Sequence, residues 1–549
     1  MESAIWFGML ACLGLIFSGC SSDDDDDPST SSGPANDDAA NDDAGDDDAA
    51  DDDAANDDAA GDDDNDTAPF EAGFDVRLSD GGEYAPPPSD EIGVFVSADT
   101  GDNRNPGTME RPKRTIQAGI RLAQRKDKVV FIAAGTYPES VFSKVSLFGG
   151  YRATDWTRDI RVYRTIIAPS FWMTVTIMPE PQGPVLILEG LEIRGADMLT
   201  HHDWPGEPAI SCAVEITGGN VILARNRITG GRALDLSSWS LAWSFGVRAE
   251  NIESIRLIEN VIQGGKAASL NEAQAWGVVI DGDQPLVTAV GNYINYGFAY
   301  SASYFAYTYG LAVSGRSADT SVLLVGNEIR ALNPAYPLSE DETYVLATLG
   351  PVALTAIGNY FYSKTAHGAR LVDSTGPATL AQNTLTARGG DMTTATVFRN
   401  PATLVDNLFF IEGYLDSIFV ALTDGVFDTR IVANNFYLDM PHGYLVWRGH
   451  RGIQELPVLE DCHWRGCVEA WGNQIERPKF EAWEDYHLRS DSLCIDRGVN
   501  PAPWYDGPEI HRDLDGQYRP QGAGWDIGAD EYEIEDGRWM TDEKGGWRK

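Results

Sequence analysis

Asn220–Gly231 reads NVILARNRITGG, and much of it returns at Ile255–Gly265 as IRLIENVIQGG. The shared phrase is a short apolar run, one variable residue, an Asn, then a second apolar run. It recurs as VTAVGNYI, LLVGNEI, LTAIGNYF, TLAQNTL, TLVDNLF and RIVANNFY. The asparagines are Asn226, Asn260, Asn292, Asn327, Asn359, Asn383, Asn407 and Asn434, with gaps of 34, 32, 35, 32, 24, 24 and 27 residues. A repeat at this period outranks any local reading of the chain. Apolar and polar residues alternate within each copy, which is strand period. Asn is a poor strand residue, but at a sharp bend it tolerates left-handed angles and bonds nearby main chain. Stacked Asn side chains also bond one another. A second strand precedes several copies: AVEITGG from Ala213, GVRAEN from Gly246, GVVIDGD from Gly277 and GLAVSG from Gly310.

Propeller blades repeat at 40 residues or more, so these units are too short for them. A coil of the shorter length, turning at Asn, fits a parallel β-helix whose core is completed only by neighbouring coils. The longer spacings read as the same coil carrying a projecting loop. The prediction is an all-β, parallel β-helix with a short N-terminal capping helix. PKRTIQAGIRLAQR supplies that helix, started at Pro112, with Ile116, Ile120 and Ala123 on one face.

The opening VFVSADTGDNRNPGTMERPKRTIQAGIRLAQRKDKVVFIAAGTYPESV (Val94–Val141), VSLFGGYRATDWTRD (Val145–Asp159), and the closing CIDRGVN, DLDGQYRP and DIGADEYE resemble the right-handed parallel β-helix family of pectate-lyase-like and surface proteins. The resemblance covers Val94–Glu533. It is specific for architecture and weak for activity, because this scaffold hosts lyases, hydrolases and adhesins.

The start is a separate matter. Ile5–Phe17 is apolar but too short to span a membrane. It ends in IFSGCSS, which resembles a bacterial lipoprotein signal with Cys20 as the lipidated residue. The n-region departs from that pattern, holding Glu2 and no Lys or Arg. Residues 23–66 contain 21 Asp and no Lys or Arg, and read as an extended, self-repelling tether. The expected organisation is a signal peptide (1–19), tether (20–75), N-terminal cap and first coils (76–165), central coils with projecting aromatic loops (166–455), last coils and C-terminal cap (456–533), and a polar tail (534–549). Expected localisation is an outer membrane or cell surface, lipid-anchored, or otherwise extracellular. The only membrane contact expected is through the lipid.

Lys and Arg total 41 against 84 Asp and Glu, a net charge of -43, which argues against nucleic acid as a partner. Two further cysteine readings stay open: a Cys462–Cys467 disulfide, and zinc with His463 and His487. Asp99, Asp102 and Asn103 offer oxygens for Ca²⁺; no cofactor is required. Asp513, Asp515, Asp526 and Asp530 with Arg519 read as a salt-bridged or ion-binding cap.

For function, Trp239, Trp243, Tyr300, Tyr304, Tyr307 and Tyr309 lie in the stretched repeats and form a candidate exposed ledge for glycans or surface proteins. The leading expectation is non-catalytic binding or structural display. The alternative is a polysaccharide lyase or hydrolase, with Lys266, Asp281, Asp283 and Arg316 as its candidate residues.

Overall fold

The computed structural model describes residues 84–170, 174–200, 208–235, 240–302, 305–333, 342–365, 369–389, 393–412, 417–423, 428–439, 443–449, 451–482, 484–533, 540–541 and 547–548. Cys20, the Asp-rich segment, Trp239 and Tyr304 lie outside the described residues.

Each coil passes through three sheets in turn. Among the described residues these have 13, 11 and 12 strands. In one coil, Asn220–Ala224 belongs to sheet 1, Arg227–Thr229 to sheet 2 and Leu241–Glu250 to sheet 3. Each strand pairs in parallel with its equivalent one coil on, as Asn220 does with Ser254 and Arg227 with Val261. Successive parallel strands joined this way give a right-handed parallel β-helix. Its core is a set of in-register rows. Ile228, Ile262, Ile294, Ile329, Phe361, Leu385, Phe409 and Phe436 form one such row, all essentially inaccessible. Each contributes about 1.5–3 kcal/mol by leaving water.

The corner between sheets 1 and 2 is where the repeated Asn acts. The left-handed residue is the one before it: Arg225, Glu259, Gly291, Gly326, Gly358, Gln382, Asp406, Ala433 and Gly472 all have φ between 51° and 68°. The sequence reading put that angle on Asn itself. The bend instead precedes it, leaving the Asn side chain directed along the stack. Asn260 Oδ1 accepts from Asn226 N and Nδ2 at 3.0 and 3.1 Å, and the same pair of bonds recurs from coil to coil. It continues through Asn383, Asn407 and Asn434. A ninth member, Asn473, extends the row, and its own N–H donates to Glu460 Oε1 at 2.7 Å. Every Asn in the row is buried.

Among the described residues, the stretched coils carry added strands. Their extra residues form a fourth parallel sheet of 4 strands, Met198–Thr200, Arg232–Asp235, Lys266–Ser269 and Phe298–Ser301. The apolar contact between this flange and the first halves of the long sheet 3 strands is made of alanines, Ala233, Ala267 and Ala299 against Ala209, Ala242, Ala273, Ala275 and Ala306. The turn into it requires glycine, because a Cβ on Gly265 would lie 1.9 Å from Gly231 O and 2.1 Å from Ser244 Oγ.

Helix α1 (Ile116–Lys126) closes the first coils, burying Ile116, Ile120 and Ala123. Thr115, not Pro112, is its N-cap, its side chain accepting from Ala118 N. Lys113 bridges to Val96 of sheet 1, so the Pro belongs to the preceding extended segment. A short helix α2 (Leu456–Glu460) lies near the last coils. The C-terminal segment then runs back along the outside of sheet 2 as a strap. Leu488, Cys494 and Ile527 pack on Leu408, and Ala529 N donates to Thr384 Oγ1 at 2.8 Å. Cys462 and Cys467 form a disulfide, while Cys212 and Cys494 are free and buried. The bonded pair leaves no thiolates for a zinc site with His463.

Candidate functional site

Of the four charged residues selected from sequence, three come together and Lys266 stands apart. Arg316 bridges Asp281 and Asp283 at 2.8 Å each, at the far end of the sheet 3 strand Glu272–Gly282. Both acids spend their charge on one guanidinium. Lys266 lies elsewhere, exposed at the start of its flange strand. In the Asp99–Asn105 loop, Asn103 Oδ1 accepts from Arg114 N and Thr115 N at 3.1 and 3.0 Å, and Asp102 Oδ1 from Arg104 N at 2.8 Å. The loop closes through its own hydrogen bonds.

The aromatic ledge also resolves differently. Tyr300 is exposed on the flange, but Tyr307 and Tyr309 are buried. Parallel register places Phe245, Trp276, Tyr309 and Tyr344 at one level of consecutive sheet 3 strands. Their rings stack with centroids 4.4, 5.7 and 5.0 Å apart and interplanar angles of 6–11°. The faces that a sugar would use are therefore covered by one another. Arg248 and Arg370 close the two ends of the stack, 5.6 and 5.2 Å from the Phe245 and Tyr344 centroids.

Beside this stack is a group that the sequence did not single out. Glu272 receives a bond from Gln274 Nε2, Tyr344 Oη donates to Glu342, and Arg370 lies 3.8 Å from Glu342. Burial raises the Glu272 carboxyl above its usual range, partly opposed by the Gln274 bond. The Tyr309 hydroxyl is pushed far up by burial, with Tyr344, Glu342, Tyr307 and Glu272 around it. Trp243 Nε1 and Gln274 Oε1, on adjacent strands at one register level, are buried without hydrogen-bond partners among the described residues. A buried donor and acceptor left unmade cost about 1–3 kcal/mol each.

The strap bounds an open cleft of 520 Å³ against the outer face of sheet 2. Parallel strands place Arg330, Tyr362, Thr386, Phe410 and Tyr437 in one outward row there. Tyr362 and Phe410 form part of the floor, and Phe480 of the strap meets Phe410 edge-on with centroids 5.6 Å apart. Arg330 lies 5.2 Å from the Tyr362 centroid and 5.7 Å from that of Tyr293, fixing the row. The rim carries Arg388, Glu412, Arg477, Lys479, Glu481 and Arg489. Arg388 is 3.7 Å from Glu412, whose carboxyl is raised by burial against the opposing pull of that Arg. A concave site with ring walls and a few polar groups is the usual form of a small-ligand site. Of these residues none was selected from sequence. Their shared signal is the outward residue three places after the repeated Asn, at Arg330, Tyr362, Thr386, Phe410 and Tyr437, with Arg388 and Glu412 five places after theirs.

Together the coils, the Asn row and the cleft define a right-handed parallel β-helix protein with an outward-facing cleft. Among solved structures it is similar to the crystal structure of pectate lyase Pel9A, at TM-score 0.42 and 10% identity, covering 80% of this chain and 96% of that one. It is also similar to the GH136 lacto-N-biosidase from Eubacterium ramulus, at TM-score 0.27 and 12% identity, covering 70% and 68%. No family model matches the sequence, and no curated protein matches it.

Proposed function

We propose that this chain is a surface-displayed, glycan-binding β-helix protein, anchored through a lipid on Cys20 and binding without catalysis in the cleft between sheet 2 and the strap. The observation that carries the reading is the cleft itself: 520 Å³, floored by Tyr362 and Phe410, walled by Phe480 and rimmed by charged hydrogen-bonding groups. Rings supply apolar contact to the faces of sugar rings, and the rim supplies bonds to hydroxyls. The test uses the full chain with a panel of neutral and acidic polysaccharides, with and without Ca²⁺. Saturable binding that weakens about tenfold in Phe410→Ala, the loss of about 1.4 kcal/mol, supports the reading. Equal binding by wild type and variant overturns it.

A second reading is hydrolysis at the sheet 3 face. Its support is the Glu272 carboxyl, raised by burial toward a general acid, two coils from the Arg370-paired Glu342. New reducing ends that disappear in Glu272→Gln would favour it; intact polysaccharide with wild type excludes it for that panel.

A further inference from the structure

We propose that His487, Asp515 and Asp530 form a divalent-cation site of the zinc–manganese class, which staples three stretches of the C-terminal strap together. Among the described residues, these three present donor atoms that all lie within 4.8 Å of one another. His487 Nε2 is 2.8 Å from Asp515 Oδ2. Asp530 is 4% exposed; its Oδ2 accepts from Leu488 N at 2.7 Å, and its other oxygen has no hydrogen-bond partner among the described residues. A carboxylate on a residue buried to this degree, with one hydrogen bond, is costly unless something positive meets it. His487 and then Arg519 attract the Asp530 carboxylate, while Asp513 repels it, and the Arg519 guanidinium itself donates to the Asp526 and Gly528 carbonyls.

The orientation of each donor supports a built site. Asp485 bonds His487 Nδ1, which directs Nε2 inward. Tyr486 Oη donates to Asp515 Oδ1 at 3.0 Å, and its ring stacks on the imidazole with centroids 4.3 Å apart. Leu488 N fixes Asp530. Each of the three donors thus has its other atom held by a separate group, the arrangement in which outer partners orient metal ligands. One imidazole with carboxylates selects Zn²⁺ or Mn²⁺ over Ca²⁺, which takes six to eight oxygens. Water would complete the coordination. The sequence reading had paired His487 with the cysteines for zinc. The strap brings carboxylates to it instead.

The test uses the full chain, stripped with a chelator and titrated with Zn²⁺ by calorimetry, with thermal unfolding alongside. The expected result is one tight site per chain above a weak background from the Asp-rich segment, and a higher Tm on loading. Asp530→Asn and His487→Gln should each weaken the tight site at least tenfold and abolish the Tm rise, with unchanged far-ultraviolet circular dichroism. Asp485→Asn, one shell out, should weaken it about 10–100-fold. Co²⁺ gives a second readout: a visible spectrum that is lost in His487→Gln. Identical isotherms for wild type and both ligand variants, or no tight site in the folded wild type, overturn the proposal. So does Ca²⁺ binding this site more tightly than Zn²⁺.

Discussion

Replacing Asn327 by alanine tests the ladder at its middle. Asn327 Oδ1 accepts from Asn292 N and from Asn292 Nδ2, both at 2.9 Å, and its Nδ2 donates to Ala289 O at 2.8 Å and to Asn359 Oδ1 at 2.9 Å. Alanine removes all four and leaves the buried Asn292 N–H without its acceptor. An orphaned buried amide costs about 1–3 kcal/mol, and each ordinary bond lost costs about 1 kcal/mol. The expected destabilisation is therefore about 4 kcal/mol, well above the effect of a surface change. Urea unfolding reports it as a lower midpoint. Because stacked coils need not unfold in one step, amide hydrogen exchange should accompany it. The Asn292 amide should lose protection first, one coil before the substituted one. A cost below about 1 kcal/mol, or unchanged exchange at Asn292, would refute the claim that the row bears load.

Gly265→Ala should prevent the flange from seating, because its Cβ would meet backbone at 1.9 Å; soluble yield and melting should both fall, whereas Gly326→Ala, with open space around it but φ of 57°, should cost only about 1 kcal/mol. Joint replacement of Cys462 and Cys467 by Ser opens a loop with a sequence separation of 5, so the loss should be at most about 2 kcal/mol, read from the urea midpoint. Burial lifts the Asp526 carboxyl to about 6 and holds that of Asp406 well above its usual range. The folded state then binds more protons than the unfolded one, so stability should fall as pH rises from about 4 through 6; in chelator-treated protein the Asp526→Asn variant should show a shallower fall, and an unchanged slope would contradict the assignment.

The strand period and the Asn spacing were enough to identify the coils, because both are one-dimensional regularities. The left-handed residue escaped because its identity varies: Arg225, Glu259, Gln382 and Ala433 share no side-chain chemistry. Asn473 was missed although WGNQI carries the same Gly-Asn pair as VGNYI. The flange was written as Gly-Gly before RALD and KAAS and a single Gly before FAYS, each with alanine at its second place. Length alone made it look like a loop. The aromatic residues misled for a different reason. Whether Tyr309 faces solvent or another ring depends on which residue the next coil places beside it, and that register is not visible locally. The cleft and the His487 group both require the strap to fold back across residues far away in sequence, which no repeat period encodes.

The Asn row is directional. Every backbone N–H in it points toward the following coil, so the small dipoles of nine amides add rather than cancel, and the donor end falls at Asn473, facing the Glu460 carboxylate. An α-helix treats an acid at its first turn the same way. A coil could therefore be spliced into or cut from the middle of the array without disturbing this polarity, while the acid would have to travel with the last coil.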